Sequence, residues 1–350
     1  MTLRQIPSAT HEEIHRVEDP ATGLTGFIAI HSTQLGPAAG GLRMRPYASP
    51  EEALEDVRRL SEGMTYKNAA AGLPLGGGKA VIIGDPATDK TPEKLRAFGR
   101  AIHSLNGRYV TAEDMGMSPA DMGILAKETP HVAGLAVGAL ASGDPSPVTA
   151  RGIFNAIRTA RAHTEGSADL RGVRVSVQGL GHVGWHLCRL LYDAGADLIV
   201  TDVDPARIEK AKSEFGARPV ATPKIYSVQA DIFAPCAIGG ILNAETIPQL
   251  QVRIVAGGAN NQLATPEDAK ALHGRSILYA PDFIANGGGI INVATEILKI
   301  ADRDAYVPEK LSALDATMAE VLDQARQQDI SPDAVAIATV RAKMAQVAAA

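Results

Sequence analysis

The feature that most restricts the fold of this chain is a glycine-rich turn at residues 179–184, which read Gly-Leu-Gly-His-Val-Gly. The apolar run at 173–178 predicts a strand before the turn, and residues 185–193 predict a helix after it. Glycines at this spacing allow a tight turn, a close approach of the backbone to a pyrophosphate, and close packing of helix on strand. The sequence therefore predicts a dinucleotide-binding unit, with cofactor contacts from Gly179, Gly181, Val183 and Gly184.

Asp202 closes the next predicted strand, 198–201, and stands 18 residues after Gly184. An acid at this distance from the glycine turn accepts hydrogen bonds from the adenosine ribose and repels a 2′-phosphate. We therefore expect NAD rather than NADP as the cofactor. The alternative, a solvated loop acid beside Asp204, is the weaker interpretation.

Strands and helices continue to alternate beyond this unit. Apolar runs at 231–234, 254–256 and 277–279 predict further strands. Such alternation implies a parallel sheet that is covered by helices on both faces. The first half of the chain instead mixes short strands with capped helices, and the turn formers at 141–147 predict a hinge.

We therefore expect an α/β protein of two domains with a cleft between them. Residues 1–143 would form an N-terminal substrate-binding and catalytic domain. Residues 144–330 would form a Rossmann-type, doubly wound NAD-binding domain. A tail at about 331–350 would pack back on the first domain.

Composition excludes several classes of partner. The 350 residues contain 34 Lys and Arg against 39 Asp and Glu, so the formal net charge is −5 and offers no basic surface for nucleic acid or an anionic membrane. No apolar run is long enough to span a bilayer, and the first ten residues lack the hydrophobic stretch of a signal peptide. The two cysteines have neither CxxC spacing nor a disulfide framework. We expect a cytoplasmic protein with reduced thiols.

Two lysines stand beside clusters of small residues. Lys67 follows Met64 by three residues, so it continues the buried stripe of a predicted helix and should be partly desolvated. Lys79 lies between three glycines, 76–78, and the apolar run at 80–83. A single lysine more often extends outward from an apolar surface. Two of them, 12 residues apart in such surroundings, favour a functional site.

Two further segments are candidate parts of that site. Gly40 and Gly41 predict a second loop through which the backbone approaches a ligand. Glu113 and Asp114 follow the predicted strand 109–111, where an acid would point into a cleft or lie in a polar loop. The residues themselves leave both alternatives open.

Two other signals are not expected to carry chemistry. The segment from His11 to His15 reads His-Glu-Glu-Ile-His, which matches the zinc pattern H-E-x-x-H. Turn formers and a strand-like run follow it, so we predict a hairpin, on which the two histidines lie about 13 Å apart, too far for one metal ion. Cys236, at the end of an apolar strand, is expected to be a packed thiol.

Together these motifs resemble the glutamate/leucine/phenylalanine/valine dehydrogenases, and most closely their leucine dehydrogenase branch. The resemblance covers nearly the whole chain. In chain order the matching segments are 36–41, 64–67, 76–79, 111–114, 145–149, 179–184, 234–237, 258–261, 280–282 and 286–289.

The resemblance implies an enzyme that uses NAD to convert an apolar L-amino acid, reversibly, to its 2-oxo acid and ammonium with formation of NADH. It implies that Lys67 binds the substrate carboxylate, helped by backbone groups of Gly40 and Gly41, with Met64 beside them. Lys79 would be the general base that activates water, and Asp114 would move protons to and from the substrate nitrogen.

The resemblance also implies the remaining contacts of both ligands. Thr149 and the pair Asn260–Asn261 would hold the nicotinamide end and the amino group, and which asparagine makes which contact stays open. The substrate side chain would lie against four apolar residues, a set that disfavours glutamate. They are Ala39, Ala112, Ile290 and Val293.

Two of these pocket positions depart from the leucine branch. Ala39 stands where a larger leucine is usual, which opens the pocket, and Ile290 stands where valine is common, which fills it. We expect leucine, valine and isoleucine as the favoured substrates, while phenylalanine stays open.

Other functions are conceivable for such a chain. A hydroxy-acid dehydrogenase typically uses a catalytic histidine beside an arginine and an acid, and the paired lysines argue against that class. A non-catalytic NAD-binding sensor would have no need of a base, so Lys79 and Asp114 argue against it. We expect a homo-oligomer, as the relatives are, with no bound metal.

Overall fold

The computed structural model describes residues 1–349, with side chains to 346. They divide into two compact units. Unit 1 comprises Met1–Pro145, Ile290–Pro308 and the C-terminal segment from Lys343, and unit 2 comprises Ser146–Gly289 and Glu309–Ala342. Among the helices of residues 1–349, none has both the length and the apolar character of a membrane-spanning segment.

Unit 1 is built on a six-stranded mixed sheet. Its strands are β1 (Thr2–Ile6), β2 (Glu13–Asp19), β3 (Leu24–Ser32), β4 (Ala38–Arg45), β5 (Gly76–Ile83) and β6 (Tyr109–Glu113), in the order β1-β2-β3-β5-β4-β6. β4 pairs in parallel with both β5 and β6, whereas β1, β2, β3 and β5 pair antiparallel. The β2–β3 pair confirms the predicted hairpin.

Helices cover both faces of this sheet. They are α1 (Pro50–Ala70), α2 (Pro92–His103) and α3 (Pro119–Leu125), and each begins with a proline after a serine or threonine whose side chain caps it. Leu42 and Ile82 pack with Phe98 of α2 in one core, while Val81 packs with Val57 of α1 in another. Because strand residues alternate between faces, the odd-numbered residues of β5 face α1.

Unit 2 contains a parallel six-stranded sheet. Its strands are β7 (Arg174–Gln178), β8 (Asp197–Thr201), β9 (Arg218–Pro219), β10 (Ile232–Pro235), β11 (Ile254–Val255) and β12 (Leu278–Tyr279), in the order β12-β11-β10-β7-β8-β9. Counted within the unit this is the order 3-2-1-4-5-6 read from the other end, the arrangement of doubly wound dinucleotide-binding sheets. The predicted α/β fold class is confirmed.

The remaining helices follow in chain order. They are α4 (Ser146–Glu165), α5 (His182–Asp193), α6 (Pro205–Phe215), α7 (Pro266–Gly274), α8 (Asp282–Ala285), α9 (Gly288–Ile297), α10 (Arg303–Gln328) and α11 (Pro332–Ala349). Short 3₁₀ turns occupy Thr222–Lys224 and Ile247–Gln249. From Gly288 onward the regular structure of the described chain consists of helices alone, α9 to α11.

The structure corrects the division of the chain in two places. The segment Ile290–Pro308 belongs to unit 1, although the sequence placed it with the second half. Its Glu296 carboxylate accepts hydrogen bonds from the backbone of Gly134 and from Ser142, which ties the segment to unit 1. The tail from 331 to 342 belongs to unit 2, where Asp333 lies near Asp282, and only residues from Lys343 group with unit 1.

Gly40 and Gly41 do not form the predicted loop. They lie within β4, where Gly40 is opposite Thr111 and Gly41 is opposite Ala112 of β6. The strand tolerates them because neighbouring groups fill the space of the missing side chains: a Cβ on Gly40 would meet the carbonyl oxygen of Gly78.

Candidate active site

Lys79 lies within β5, because the strand extends back through the three glycines that precede it. Its side chain shares a strand face with Val81, the face that packs against α1. Only 4% of the residue is exposed. Its Nζ atom lies 2.7 Å from Oδ2 of Asp114, which follows the end of β6. The structure thus brings together two residues that the sequence assigned to one site.

Asp114 is held by two cations. Its Oδ2 atom accepts a hydrogen bond from Nε of Arg43, at 3.1 Å, in addition to the contact with Lys79. Burial alone would raise the pKa of this carboxyl, but the Arg43 guanidinium and the Lys79 ammonium hold it well below its usual range. Asp114 is therefore ionised over the physiological range, and the alternative of a polar loop acid is set aside.

The groups around Lys79 shift the pKa of its ammonium in opposing directions. Desolvation lowers the pKa of its ammonium, the Asp114 carboxylate opposes that shift, and the Arg43 guanidinium adds to it. The pKa is lowered overall. A lysine in this environment gives up its proton more readily than a solvated one, which is the property a general base needs.

The sequence did not indicate Arg43 or the residues that hold it beside Asp114. Arg43 lies on β4 and donates from Nη1 to Asp56 of α1, at 3.1 Å, while the Tyr47 hydroxyl donates to the same Asp56 oxygen at 2.7 Å. Charges of alternating sign therefore run from Lys79 through Asp114 and Arg43 to Asp56. The available signal was an arginine that directly follows the uncharged, buried residues 38–42 of its strand.

The glycines before Lys79 allow α1 to lie close to β5. A Cβ on Gly77 would lie 2.0 Å from Oγ1 and 2.2 Å from the backbone nitrogen of Thr65. Asn68 of α1 donates from Nδ2 to the Gly76 carbonyl at 2.5 Å, inside the protein. This contact holds the last turns of α1 against β5.

Lys67 and Met64 lie on that part of α1. The helix persists to Ala70, so Lys67 continues the stripe that the sequence predicted, and it is half-buried. Met64 is buried, and its Cγ would contact a side chain placed on Gly40. Met64 and Gly40 are therefore neighbours, as a shared binding site requires.

The four residues predicted to line the side-chain pocket all belong to unit 1 and are all buried: Ala39, Ala112, Ile290 and Val293. Ala39 on β4 pairs with Gly77 of β5 and Val110 of β6. Because Ile290–Pro308 belongs to unit 1, all four residues lie in one compact body.

In unit 2 the glycine turn joins β7 to α5. Gly179 has φ +95°, a conformation that favours glycine, and a Cβ there would collide with Ala237, which follows β10. The turn therefore lies where strand order reverses between β7 and β10, the position of ligands in doubly wound sheets. A Cβ on Gly184 would lie 2.0 Å from the Gly179 carbonyl oxygen, so helix and strand pack closely.

Gly181 caps α5 without a side chain, and the space around it is open except for Arg207. The first-turn N–H groups of α5, which include that of Val183, are the donors that a pyrophosphate needs. Asp202 at the end of β8 is 5% exposed in its side chain, and it accepts hydrogen bonds from Leu180 N at 2.5 Å and Asp204 N at 2.8 Å. These features fit a dinucleotide.

Thr149 and the two asparagines also lie in unit 2. Thr149 is in the first turn of α4, beside Gly288. Asn260 accepts from Nδ2 of Asn286 at 3.1 Å, and Asn261 adopts a left-handed conformation with φ 51°. Asn286, which sequence reasoning did not single out, also donates to the Gly258 carbonyl. Its amide therefore fixes the segment that carries Asn260.

The contacts and burial of His11 and Cys236 are those of residues that stabilise the fold. His11 lies 3.0 Å from the Ser61 hydroxyl through Nε2, and His15 on β2 contacts Glu13. Burial raises the pKa of Cys236 to about 12, so the thiol stays protonated. Among the described residues no group of three or more His, Cys, Asp or Glu side chains is arranged to hold a metal ion.

Two family models match the chain. The model "Glu/Leu/Phe/Val dehydrogenase, dimerisation domain" matches residues 11–131, and "Glutamate/Leucine/Phenylalanine/Valine dehydrogenase" matches residues 200–350. Together they span most of the sequence, including the lysine–aspartate pair, Asp202 and both asparagines.

Individual amino-acid dehydrogenases are also similar to this chain. The chain is 53% identical to leucine dehydrogenase of Geobacillus stearothermophilus over 82% of this chain and 78% of that protein. It is 47% identical to phenylalanine dehydrogenase of Caldalkalibacillus thermarum over 95% and 90% of the two chains. The crystal structure of L-tryptophan dehydrogenase from Nostoc punctiforme is similar with a TM-score of 0.79 and 40% identity, covering 97% of this chain and 98% of that one.

Proposed function

Since the chain belongs to the glutamate/leucine/phenylalanine/valine dehydrogenase family and is an amino-acid dehydrogenase, we propose that its preferred substrates are leucine and other branched-chain L-amino acids and that its cofactor is NAD. The reaction is the reversible oxidative deamination of the amino acid to its 2-oxo acid and ammonium. The observation that carries the assignment of roles is the buried contact of 2.7 Å between Lys79 and Asp114.

Lys79 and Asp114 divide the proton transfers. When bound, NAD would take a hydride from the substrate α-carbon, and the substrate would then carry an iminium group, the protonated imine, at that carbon. Lys79 in its neutral form takes a proton from the water that adds to the imine, and its lowered pKa supports this role. Asp114 moves protons to and from the departing nitrogen in this proposal, and its contact of 2.7 Å with Lys79 places both groups in one site.

Lys67 binds the substrate carboxylate in this proposal. A half-buried ammonium on the last turn of α1 attracts an anion more strongly than a solvated one does. The neighbouring backbone of Gly40 and Gly41 adds polar contacts, with Met64 alongside. The buried apolar set Ala39, Ala112, Ile290 and Val293 then receives an uncharged side chain.

NAD is held by unit 2. The glycine turn and the first turn of α5 bind the pyrophosphate, and Asp202 accepts from the ribose hydroxyls, where its negative charge disfavours a 2′-phosphate. Thr149, Asn260 and Asn261 bind the nicotinamide end and the amino group. Oxidised NAD supplies the hydride acceptor.

A homo-oligomer is part of the proposal, since the matching N-terminal family model is described as a dimerisation domain. The cytoplasmic location stays a prediction from the sequence.

The test is NADH formation by the purified protein with a panel of L-amino acids. We expect activity on leucine, valine and isoleucine that is lost in Lys79→Ala. The matched control is Lys90→Ala, because Lys90 also lies 2.7 Å from an aspartate, Asp121, outside the proposed site. Activity that peaks on phenylalanine would keep the reaction and overturn the substrate preference. Silence across the panel in a protein that still binds NAD would favour the sensor alternative.

A further inference from the structure

We propose that Arg43 is a positioning residue for this reaction: its guanidinium bridges Asp114 and Asp56, fixes the carboxylate that contacts Lys79, and biases Lys79 toward its neutral form. The inference rests on the proposed function, in which Lys79 acts as the base. Arg43 would not touch the substrate, and it acts through the two residues beside it.

The geometry of Arg43 matches such a role. Its side chain is only 12% exposed, and it donates from two different nitrogens, Nε to Asp114 and Nη1 to Asp56, each at 3.1 Å. An arginine presents its donors in a fixed planar fork, whereas a lysine has one terminal nitrogen on a flexible stem. The fork therefore sets the position of the Asp114 carboxylate relative to α1.

A second carboxylate keeps the arginine in place. Asp56 also accepts from the Tyr47 hydroxyl at 2.7 Å and lies 4.0 Å from Nε of Arg45. A buried charge that lost its partner would be strongly destabilising, so this arrangement restricts Arg43 to one conformation. Tyr47 and Asp56 thus hold Arg43 in place, and in the described chain neither forms a hydrogen bond or an ion pair with Lys79 itself.

The charges around Lys79 act in opposite directions. Asp114 after β6 and Asp56 on α1 stabilise its ammonium, while Arg43 on β4 destabilises it. Asp114 is in turn faced by Arg43 and Lys79, and Glu113 lies next to it on β6. Removal of Arg43 should therefore raise the pKa of Lys79, and removal of the Asp56 charge should lower it.

If Arg43 and Asp56 only stabilised the fold, their removal would not shift the pKa of Lys79 in opposite directions, so these shifts test the proposal. We would measure kcat/KM for leucine oxidation against pH in Arg43→Gln, Asp56→Asn and the wild type. The limb along which activity rises with deprotonation of Lys79 should move to higher pH in Arg43→Gln and to lower pH in Asp56→Asn. The expected shifts are roughly one pH unit, the size that a nearby, partly screened charge produces.

Arg43→Lys separates charge from position. It keeps the positive charge, so the limb should stay near that of the wild type. It cannot donate from two fixed nitrogens, so kcat should fall while the limb is retained. Circular dichroism and the unfolding midpoint of each variant establish that it is folded at the assay temperature.

The proposal is overturned if Arg43→Gln and Asp56→Asn move the limb in the same direction, or if kcat falls in both with no shift. Should the wild type oxidise no amino acid, the proposed function fails separately. The protonation of Lys79 is then followed by its acetylation with acetic anhydride as a function of pH, read by mass spectrometry. The same opposite shifts would support the role of Arg43, and their absence would exclude it.

Discussion

The Nζ atom of Lys79 lies 2.7 Å from Oδ2 of Asp114 in the interior of unit 1. The same oxygen also accepts a hydrogen bond from Nε of Arg43, so one carboxylate contacts two buried cations. The two cations keep Asp114 ionised, while desolvation and the Arg43 guanidinium lower the pKa of Lys79 against the opposing effect of Asp114. This arrangement supports the proposed roles, in which Lys79 is the general base and Asp114 moves protons to and from the substrate nitrogen.

The first prediction concerns the Asp114 carboxylate. Asp114→Asn keeps the shape of the side chain but removes its charge, so proton transfer to the substrate nitrogen is lost and kcat/KM for leucine should fall by roughly 10²–10⁴-fold. Because Asp114 raises the pKa of Lys79, the residual activity should rise at lower pH than in the wild type. The measurement is the pH profile of NADH formation.

The matched control for this prediction is Asp121→Asn. Asp121 pairs with Lys90 at 2.7 Å, so the substitution removes an ion pair of the same length elsewhere in unit 1. Its activity should stay close to that of the wild type. Equal losses in the two variants would show that the effect of Asp114→Asn is general destabilisation rather than lost catalysis.

Patterns within one stretch of chain were enough to predict much of this protein. The strand, glycine turn and helix around Gly179–Gly184 have a local cause, since they follow one another directly in the sequence and Gly184 packs against the Gly179 carbonyl oxygen. The same holds for α1, whose serine cap and proline start are adjacent in sequence. The boundaries of unit 1 were predicted less well because Glu296 makes contacts about 150 residues away, with Ser142 and Gly134.

The site shows the same limit. Lys79 stands out in the sequence because three glycines precede it, but nothing near Arg43 or Asp56 indicates that the two side chains meet. Their contact depends on how α1 packs on the sheet, which periodicity alone does not determine. Gly40 and Gly41 were assigned to a loop because glycine favours turns. They lie instead in a paired strand, where the close approach of Gly78 and Asp114 leaves no room for a side chain.

The second prediction concerns the side-chain pocket. Ala39 is fully buried on β4, and Ala39→Leu adds three carbons at that position. The ratio of kcat/KM for phenylalanine to that for valine should fall by roughly tenfold or more, since one methylene in an apolar pocket changes discrimination by that order. Val293→Ala enlarges the pocket and should raise the ratio. If neither variant changes it, the residues do not line the pocket.

The third prediction concerns the packing of α1 on β5. A Cβ on Gly77 would overlap Thr65 and the Ser61 carbonyl oxygen, so Gly77→Ala should destabilise the fold by about 1–3 kcal/mol. Gly123→Ala is the matched control. Gly123 lies in α3 with no atom near the added carbon, and alanine there should stabilise by roughly 0.5–1 kcal/mol. Urea unfolding measures both, and a neutral Gly77→Ala would contradict the close approach.

The fourth prediction concerns cofactor choice. Asp202→Ser removes the charge but keeps an oxygen that can accept from Leu180 N, so the fold should persist. The ratio of kcat/KM with NADP to that with NAD should rise roughly tenfold, which corresponds to about 1.4 kcal/mol. Asp204→Ser, at an exposed acid that caps α6, should leave the ratio unchanged. An unchanged ratio in Asp202→Ser would place the ribose elsewhere.

The last prediction concerns Glu113, whose Oε2 atom is buried without a hydrogen-bond partner among the described residues. Desolvation, with added repulsion from Asp144 and Asp114, raises its pKa to about 7 from an ordinary value of 4.5. The folded protein therefore holds a proton there that the unfolded chain releases. As pH rises from about 4.5 through 7, the folded state loses stability relative to a variant that cannot ionise.

Glu113→Gln should thus be more stable than the wild type at pH 8, by on the order of 1 kcal/mol after allowance for solvent around a half-buried carboxyl, and should lose that advantage at pH 5. Glu128→Gln is the control, because hydrogen bonding to Arg96 lowers the pKa of Glu128 and it stays ionised across this range. Its difference from the wild type should be the same at both pH values. If the stability difference between Glu113→Gln and the wild type is also the same at pH 5 and pH 8, Glu113 is ionised at both pH values and its pKa is not raised.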